Sequence, residues 1–281
     1  MNATLSESWK RTAFPIALFV LLAYTFSWII WQIGFARIEN LSAISDERFG
    51  IFLFIGSFGP TLAALIVTFA FGGRDAVLSI LQRLKVAWTV YAFTFLALPA
   101  IGILLFILVG VPANIPLWQI ALTALPLAPL NALVGGIILG YGPLGEEMGW
   151  RGVMQETFAK GFQPLLSALL IGLAWSFWHT PLFRFDDFRV GLELPVFIPL
   201  YTLSLVLLSF TMGYLWHWSE GSLFIAIFFH AMVNTTAGVL TDIEWWQLDK
   251  FSNLQIYVLV LVTMFLTALL AEGLSRIKGF F

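Results

Sequence analysis

Two adjacent carboxylates and a guanidinium lie close together near the middle of a chain that is otherwise strongly apolar. Glu146 and Glu147 are followed by Arg151. A charged side chain at the centre of a membrane helix costs about 2.5–3.5 kcal/mol on insertion scales, so it usually marks a functional site. Glu147 and Arg151 are four residues apart and can pair on one helix face, in a supporting or a chemical role. Glu146 has no such partner and is the stronger candidate for a functional acid.

Two further polar pairs follow at the same helical spacing, Trp175 with His179 and His230 with Asn234. A carboxylate in an apolar cavity can accept and return a proton near neutral pH, which suits a general base. His179 can share the water that Glu146 activates. His230 and Asn234 can act as neutral hydrogen-bond donors to a developing oxyanion. These residue types favour hydrolysis of a carbonyl compound, and a peptide bond is the obvious substrate group.

The same residues leave other interpretations open. Glu146, His179 and His230 could bind a catalytic zinc ion, because a Glu with two His is a common ligand set. The HExxH helix of many zinc proteases is absent from the chain, which weakens the zinc hypothesis. His179 could be an interfacial residue at a helix end, and His230 with Asn234 could serve only to hydrogen-bond neighbouring helices.

The amino-acid composition indicates that these residues are positioned by membrane-spanning helices. Of 281 residues, 60% are hydrophobic and 11% are charged, whereas soluble domains have roughly 25% charged residues. The chain is therefore predicted to be an integral membrane protein. Its net charge of -2 and the lack of a basic block give no sign of a nucleic-acid partner. The absence of cysteine excludes disulfides, thiolate metal sites and a Cys nucleophile.

Apolar runs of about 20 residues, long enough to cross a bilayer, occur eight times. They cover residues 14–36, 51–71, 88–111, 117–139, 163–183, 195–216, 222–240 and 254–274. We therefore predict an all-α polytopic membrane protein with about eight transmembrane helices, forming one domain over residues 1–281. Residues between 71 and 88 are predicted to form an amphipathic interfacial helix.

Prolines and glycines interrupt the fourth run just before Glu146. Irregular backbone at membrane depth is tolerated beside protein or a water-filled cavity, so this interruption predicts a cavity next to Glu146. A turn at Gly161, followed by Pro164, predicts a helical hairpin. Glu146 lies 15 residues before Gly161 and His179 lies 18 residues after it. At the helical rise per residue both lie about 25 Å from the turn and can face each other.

The distribution of Lys and Arg predicts the orientation of the chain. With an inside N-terminus, nine of these residues fall on the inner side and five on the outer side. The inner residues are Lys10, Arg11, Arg74, Arg83, Lys85, Arg151, Lys160, Arg276 and Lys278. Because positive residues favour the inner side, both termini are predicted to be cytoplasmic, in a bacterial cytoplasmic membrane.

Three separated motifs resemble those of the CAAX-protease and bacteriocin-processing (CPBP) family of intramembrane proteases. They are EEMGWRG at residues 146–152, WSFWHTPLF at residues 175–183 and HAMVN at residues 230–234, in the order typical of the family. The resemblance covers residues 130–238, approximately. It implies a helical fold of about eight spans with a membrane-embedded active site and a glutamate-based, metal-independent peptidase mechanism.

By this resemblance, each motif residue has an implied role. Glu146 would be the general base, His179 would assist it, and His230 with Asn234 would form the oxyanion site. Supporting residues would be Glu147, Arg151 and Trp175. The family usually has Phe at the positions of Trp150 and Trp175, which implies a variant pocket shape in this chain.

The resulting hypothesis is an intramembrane endopeptidase that acts on a membrane-associated peptide or protein, without a cofactor. A non-proteolytic bacteriocin-immunity or regulatory scaffold of the same family is the main alternative. A transporter with Glu146 or Glu147 as proton carrier is a second alternative. Internal symmetry would be expected for a transporter, and the sequence has no detectable repeat. The sequence does not indicate the oligomeric state.

Overall fold

The structure, a computed structural model, is helical over most of the residues that it describes. It describes residues 2–36, 47–81, 83, 85–116, 118–120, 129–138, 142–241 and 246–277, with the backbone alone for residues 2–12, 47–49 and 136–138. Within these ranges the extended backbone forms only an isolated antiparallel bridge between Ala113 and Trp246. The prediction of an all-α protein is confirmed.

The described helices fall into long membrane-crossing segments and shorter pieces. The α-helices are α1 (Asn2–Phe35), α2 (Glu47–Ser57), α3 (Gly59–Leu81), α4 (Trp88–Leu108), α5 (Pro143–Gly149), α6 (Glu156–Phe158), α7 (Pro164–Trp178), α8 (Leu194–Trp218), α9 (Leu223–Leu240) and α10 (Asn253–Ile277). Ala132–Ile138 and Trp150–Gln155 are π-helical, and Thr180–Arg184 and Leu248–Lys250 form 3₁₀ turns.

Six segments of the described chain are long and apolar enough to cross a bilayer. They are Ala13–Phe35, Gly50–Leu81, Trp88–Leu108, Leu194–Trp218, Leu223–Leu240 and Asn253–Ile277. Each matches one of the eight predicted runs, and the polytopic membrane architecture is thereby confirmed.

The two remaining predicted runs have a different form. The run over residues 163–183 is divided into the 15-residue apolar helix α7 and a 3₁₀ turn. The division occurs because Pro181 has no backbone N–H and cannot continue an α-helix. In the run over residues 117–139, residues 117, 121–128 and 139 lie outside the described residues, as do Arg37 and Lys278 of the charge count. The orientation of the termini stays a prediction.

The second crossing is interrupted at two positions. α2 ends at Ser57, and Pro60 occupies the first turn of α3, where its missing N–H is tolerated. Within α3, Gly73 has φ of 70° and is non-helical, so residues 74–81 run in a new direction. A positive φ is adopted readily only by glycine. This bend separates the predicted amphipathic segment from the membrane-crossing part of α3.

The hairpin predicted around Gly161 is present and brings α7 back against the π-helical segment Trp150–Gln155. α6 ends at Phe158, and α7 begins at Pro164. α1 supports α7 at its end, because Trp28 Nε1 donates to the Trp178 carbonyl at 2.8 Å. A helix leaves its last carbonyls without intrahelical partners, and this bond satisfies one of them.

A single glycine sets the separation of α7 and α8. A Cβ at Gly172 would lie 2.6 Å from the Val206 Cα, a backbone atom that cannot rotate away. We expect Gly172→Ala to push the two helices apart and to destabilise the fold by about 1–3 kcal/mol. Thermal unfolding in detergent measures the effect. Gly273→Ala is the control, because Gly273 faces open space within α10 and alanine is the better helix former. Equal melting temperatures for both variants would contradict this view of the α7–α8 contact.

Candidate active site

A cavity of about 640 Å³ lies among the helices that carry the three motifs. Its wall is mostly apolar and includes residues of α2, α7, α8, α9 and α10. Its polar side chains are Ser57, Glu146, Trp175, His179, Tyr201, Ser204, His230, Asn234 and Tyr257. The four predicted catalytic residues Glu146, His179, His230 and Asn234 therefore share one cavity, although they are up to 88 residues apart in sequence.

Glu146 lies in the first turn of α5, three residues after Pro143 at the helix start. Gly145 allows α5 to approach the end of α2, because a Cβ there would lie 2.6 Å from the Ser57 carbonyl oxygen. The Glu146 side chain is buried, and its Oε2 accepts a hydrogen bond of 2.6 Å from Trp175 Nε1. Its Oε1 accepts no hydrogen bond from any residue in the described part of the chain, so it can accept one from a water in the cavity.

His179 follows the last residue of α7, where the chain turns into the 3₁₀ segment. Its Nδ1 lies 2.8 Å from the Trp175 carbonyl oxygen. A carbonyl oxygen only accepts hydrogen bonds, so Nδ1 carries the proton, and Nε2 of the neutral imidazole is an acceptor. The rings of Trp178 and Tyr201 pack edge-to-face with the imidazole at 4.6 and 5.5 Å. His179 is thus held in one tautomer, with an acceptor nitrogen at the cavity.

His230 is bound to Glu147, a contact that the sequence spacing did not predict. Its Nδ1 lies 2.7 Å from Glu147 Oε1. When the Glu147 carboxylate accepts the Nδ1 proton, Nε2 of a neutral His230 has no proton to donate. The expectation of His230 as a neutral donor therefore has to be refined. To donate to an oxyanion from Nε2, His230 would have to carry a proton on both ring nitrogens, or Glu147 would have to supply the proton of the Nδ1 contact. Asn234, one turn further along α9, is exposed to the cavity.

Glu147 and Arg151 lie behind the cavity wall as a buried ion pair. Arg151 Nη1 lies 3.0 Å from Glu147 Oε2, and both side chains are at most 1% exposed. The guanidinium also donates to Ser209 Oγ at 3.3 Å and lies 4.5 Å from the centre of the Trp175 ring. The π-helical turn that begins at Trp150 keeps the i, i+4 contact of this pair. Glu147 thus contacts two residues at once: Arg151, one helical turn further along the chain, and His230 on α9.

The aromatic residues at which the chain departs from the family pattern have different positions. Trp175 lines the cavity and contacts Glu146, whereas Trp150 is fully buried outside the cavity wall. Trp150 packs edge-to-face on Phe19 of α1 with 5.7 Å between ring centroids. The expected effect on pocket shape therefore applies directly to Trp175, while Trp150 fills the core.

The alternative zinc ligands do not form a compact ligand set. Within the described ranges, no group of three His, Asp or Glu side chains is close enough to hold a metal ion. Glu146 is bound to Trp175, His179 Nδ1 to a carbonyl and His230 Nδ1 to Glu147.

Trp175→Phe tests the contact with the Glu146 carboxylate. Phenylalanine keeps an aromatic ring beside Arg151 but removes the indole donor. Because hydrogen bonds to charged groups contribute about 1.5–3 kcal/mol, we expect kcat/KM to fall by roughly 10- to 100-fold. Steady-state cleavage of a membrane-associated peptide measures the change. Trp216→Phe, outside the cavity wall, is the matched control and should keep full activity. If Trp175→Phe were as active as the unmodified protein, the hydrogen bond between Trp175 and Glu146 would not contribute to catalysis.

The fold and cavity define a class: a polytopic α-helical membrane protein with a buried acid, two histidines and an amide around one internal site. Comparison with known proteins agrees with this class. Residues 126–236 match the family described as "Type II CAAX prenyl endopeptidase Rce1-like". The chain is also 23% identical over 240 residues to CAAX prenyl protease 2 of Methanococcus maripaludis, covering 79% of this chain and 84% of that protein.

Residues 126–236 therefore resemble an Rce1-like domain, and the chain as a whole is similar to a CAAX prenyl protease. The match spans all three motifs, and the candidate catalytic residues Glu146, His179, His230 and Asn234 all lie within residues 126–236. The family and the relative indicate a peptidase. The resemblance inferred from the motifs is confirmed.

Proposed function

We propose that the protein is an intramembrane endopeptidase in which Glu146 and His179 activate a water molecule. The observation that supports this proposal most strongly is that both residues line one cavity with an acceptor atom unengaged. Glu146 Oε1 and His179 Nε2 can each accept one proton of the same water. A water polarised in this way is a nucleophile suited to attack a carbonyl carbon.

The chemical steps follow from these positions. Glu146 takes a proton from the water as its oxygen bonds to the scissile carbonyl carbon. The carbonyl oxygen then becomes an oxyanion, to which Asn234 and the Nε2–H of His230 donate hydrogen bonds. Such donors stabilise developing charge strongly where water is scarce. Glu146 finally returns its proton to the leaving amine, and the peptide C–N bond breaks.

The substrate proposed for this site is a membrane-associated peptide or protein. The cavity of about 640 Å³ is bounded mainly by aromatic and aliphatic side chains of membrane-crossing helices, which suits an apolar segment. The relative from Methanococcus maripaludis is a CAAX prenyl protease by name, so prenylated C-terminal peptides are one class to test. The N- and C-termini are proposed to be cytoplasmic, on the distribution of Lys and Arg.

The proposal is tested by cleavage assays with purified protein in liposomes. A library of membrane-associated peptides, with and without a prenyl group, should contain substrates that the protein cleaves. His179→Ala should abolish cleavage, whereas His217→Ala should not, because His217 lies outside the cavity wall. The absence of cleavage across the library, together with a cellular phenotype that survives Glu146→Gln, would favour the non-proteolytic scaffold.

Metal analysis separates the glutamate mechanism from a zinc mechanism. The proposal assigns no metal to Glu146, His179 and His230. Activity should therefore persist after treatment with a chelator and dialysis. Stoichiometric zinc that is lost in His179→Ala or His230→Ala, together with chelator-sensitive cleavage, would overturn the assignment.

A further inference from the structure

Tyr201 is held rigidly at the cavity wall beside the proposed water site. It lies on α8, and its ring stacks on Phe197 with 5.1 Å between centroids and an angle of 26°. Phe183 contacts the same ring edge-to-face at 5.4 Å. Because its ring is held on two sides, the hydroxyl has a fixed position. No sequence motif indicated this residue, because it belongs to none of the three motifs.

The hydroxyl of Tyr201 differs from the other hydroxyls of the cavity. Ser57 Oγ donates to the Phe54 carbonyl, and Ser204 Oγ donates to the Leu200 carbonyl. Because Ser204 has one proton, Tyr257 must be the donor in the 3.2 Å contact between these two residues. These three hydroxyls therefore have partners.

Tyr201 forms no hydrogen bond with any residue that the structure describes. An unpaired polar group in an apolar cavity is unfavourable unless a water or ligand satisfies it. Its donor is therefore available to a water or to the substrate.

Tyr201 also lies on the side of the cavity where water would be activated. Its ring packs against the His179 imidazole with centroids 5.5 Å apart and an angle of 77°. The Glu146 carboxylate lines the same cavity, and Trp175 connects it to this imidazole through its indole N–H and its carbonyl oxygen. The phenol on α8, the imidazole just after α7 and the carboxylate on α5 thus line one cavity.

We propose that the Tyr201 hydroxyl donates a hydrogen bond to the water that attacks the substrate. This inference rests on the proposed peptidase function. A water has two protons and two lone pairs. Glu146 Oε1 and His179 Nε2 accept the protons, Tyr201 donates to one lone pair, and the other lone pair points at the scissile carbonyl carbon. Tyr201 keeps its own proton throughout, while the proton released by the water passes to Glu146. The third contact fixes the direction of attack.

Tyr201→Phe is the direct test, because it removes the hydroxyl and keeps the ring contacts with Phe197 and Phe183. We expect kcat to fall by roughly 10- to 100-fold, since a misoriented nucleophile costs a factor of that size. KM should change by less than about twofold, because the contact is to water rather than substrate. The melting temperature in detergent should match that of the unmodified protein.

Tyr257→Phe is the matched comparison, because it makes the same change at a hydroxyl that is already bound to Ser204. Its kcat should stay within about threefold of the unmodified value. Substrate affinity is measured separately, by anisotropy of a labelled peptide on Glu146→Gln and on Glu146→Gln/Tyr201→Phe. Equal dissociation constants are expected.

Two results would overturn the role of Tyr201 while leaving the peptidase intact. One is an unchanged kcat in Tyr201→Phe. The other is a roughly tenfold rise in both KM and the peptide dissociation constant when Tyr201 is replaced by Phe, with kcat constant. That result would show that Tyr201 contacts the substrate. By contrast, full cleavage by Glu146→Gln would refute the proposed function itself, and the role of Tyr201 with it.

Discussion

Glu146→Gln is expected to lower kcat by about 10²- to 10⁴-fold, the range that a positioned general base contributes. The glutamine amide is isosteric with the carboxylate but cannot take a proton from water. Its Oε1 can still accept the Trp175 indole hydrogen bond. The fold and the substrate affinity should therefore persist while the chemical step fails. Single-turnover cleavage of a membrane-associated peptide in liposomes measures the loss, and tryptophan fluorescence melting checks the fold.

The control for this variant is Glu193→Gln, which makes the same change at an exposed residue just before α8. It should cleave at the unmodified rate. If Glu146→Gln retained full activity with a normal melting temperature, the assignment of Glu146 as general base would be wrong. Peptide binding by Glu146→Gln would also provide a stable complex from which the substrate position in the cavity can be determined.

Glu147→Leu is expected to have the largest effect on stability. It removes the carboxylate that contacts both Arg151 and His230, and it leaves the Arg151 charge buried without a counterion. Removing one partner of a buried ion pair costs about 3–5 kcal/mol. The remaining contacts of the guanidinium, with Ser209 Oγ and the Trp175 ring, are neutral. A lower melting temperature in detergent and a loss of cleavage should therefore appear together.

Glu147→Leu/Arg151→Met separates the two consequences. Replacing a whole buried ion pair by apolar residues is often neutral or stabilising, so the double variant should recover much of the lost melting temperature. Cleavage should stay low, because His230 Nδ1 still lacks the carboxylate that supports its imidazolium form. A double variant that regained activity would show that Glu147 only neutralises Arg151. If Glu147→Leu alone had a normal melting temperature, the buried ion pair between Glu147 and Arg151 would not stabilise the fold as expected.

Much of the fold could be predicted because membrane helices are specified by local composition. Six of the predicted apolar runs are helices of membrane-crossing length, since a bilayer requires continuous apolar surface and internally satisfied backbone. Helix interruptions were harder to place. The π-helical turn at Trp150–Gln155 leaves no mark in the apolar pattern, and the run over residues 163–183 was predicted as a single crossing although Pro181 ends α7 within it.

The sequence by itself determined which residues are candidates for the chemistry and that they belong on helices, because helical spacing pairs Glu147 with Arg151 and His230 with Asn234. Only the tertiary structure decided which atoms are engaged. Trp175 binds Glu146, and Glu147 binds His230 across 83 residues, while the Tyr201 hydroxyl, outside every motif, stays open to the cavity. Such contacts depend on how helices pack and rotate against each other. Helix packing depends on many contacts between residues that are distant in sequence. The spacing of residues along one helix therefore cannot specify which side chains meet across helices.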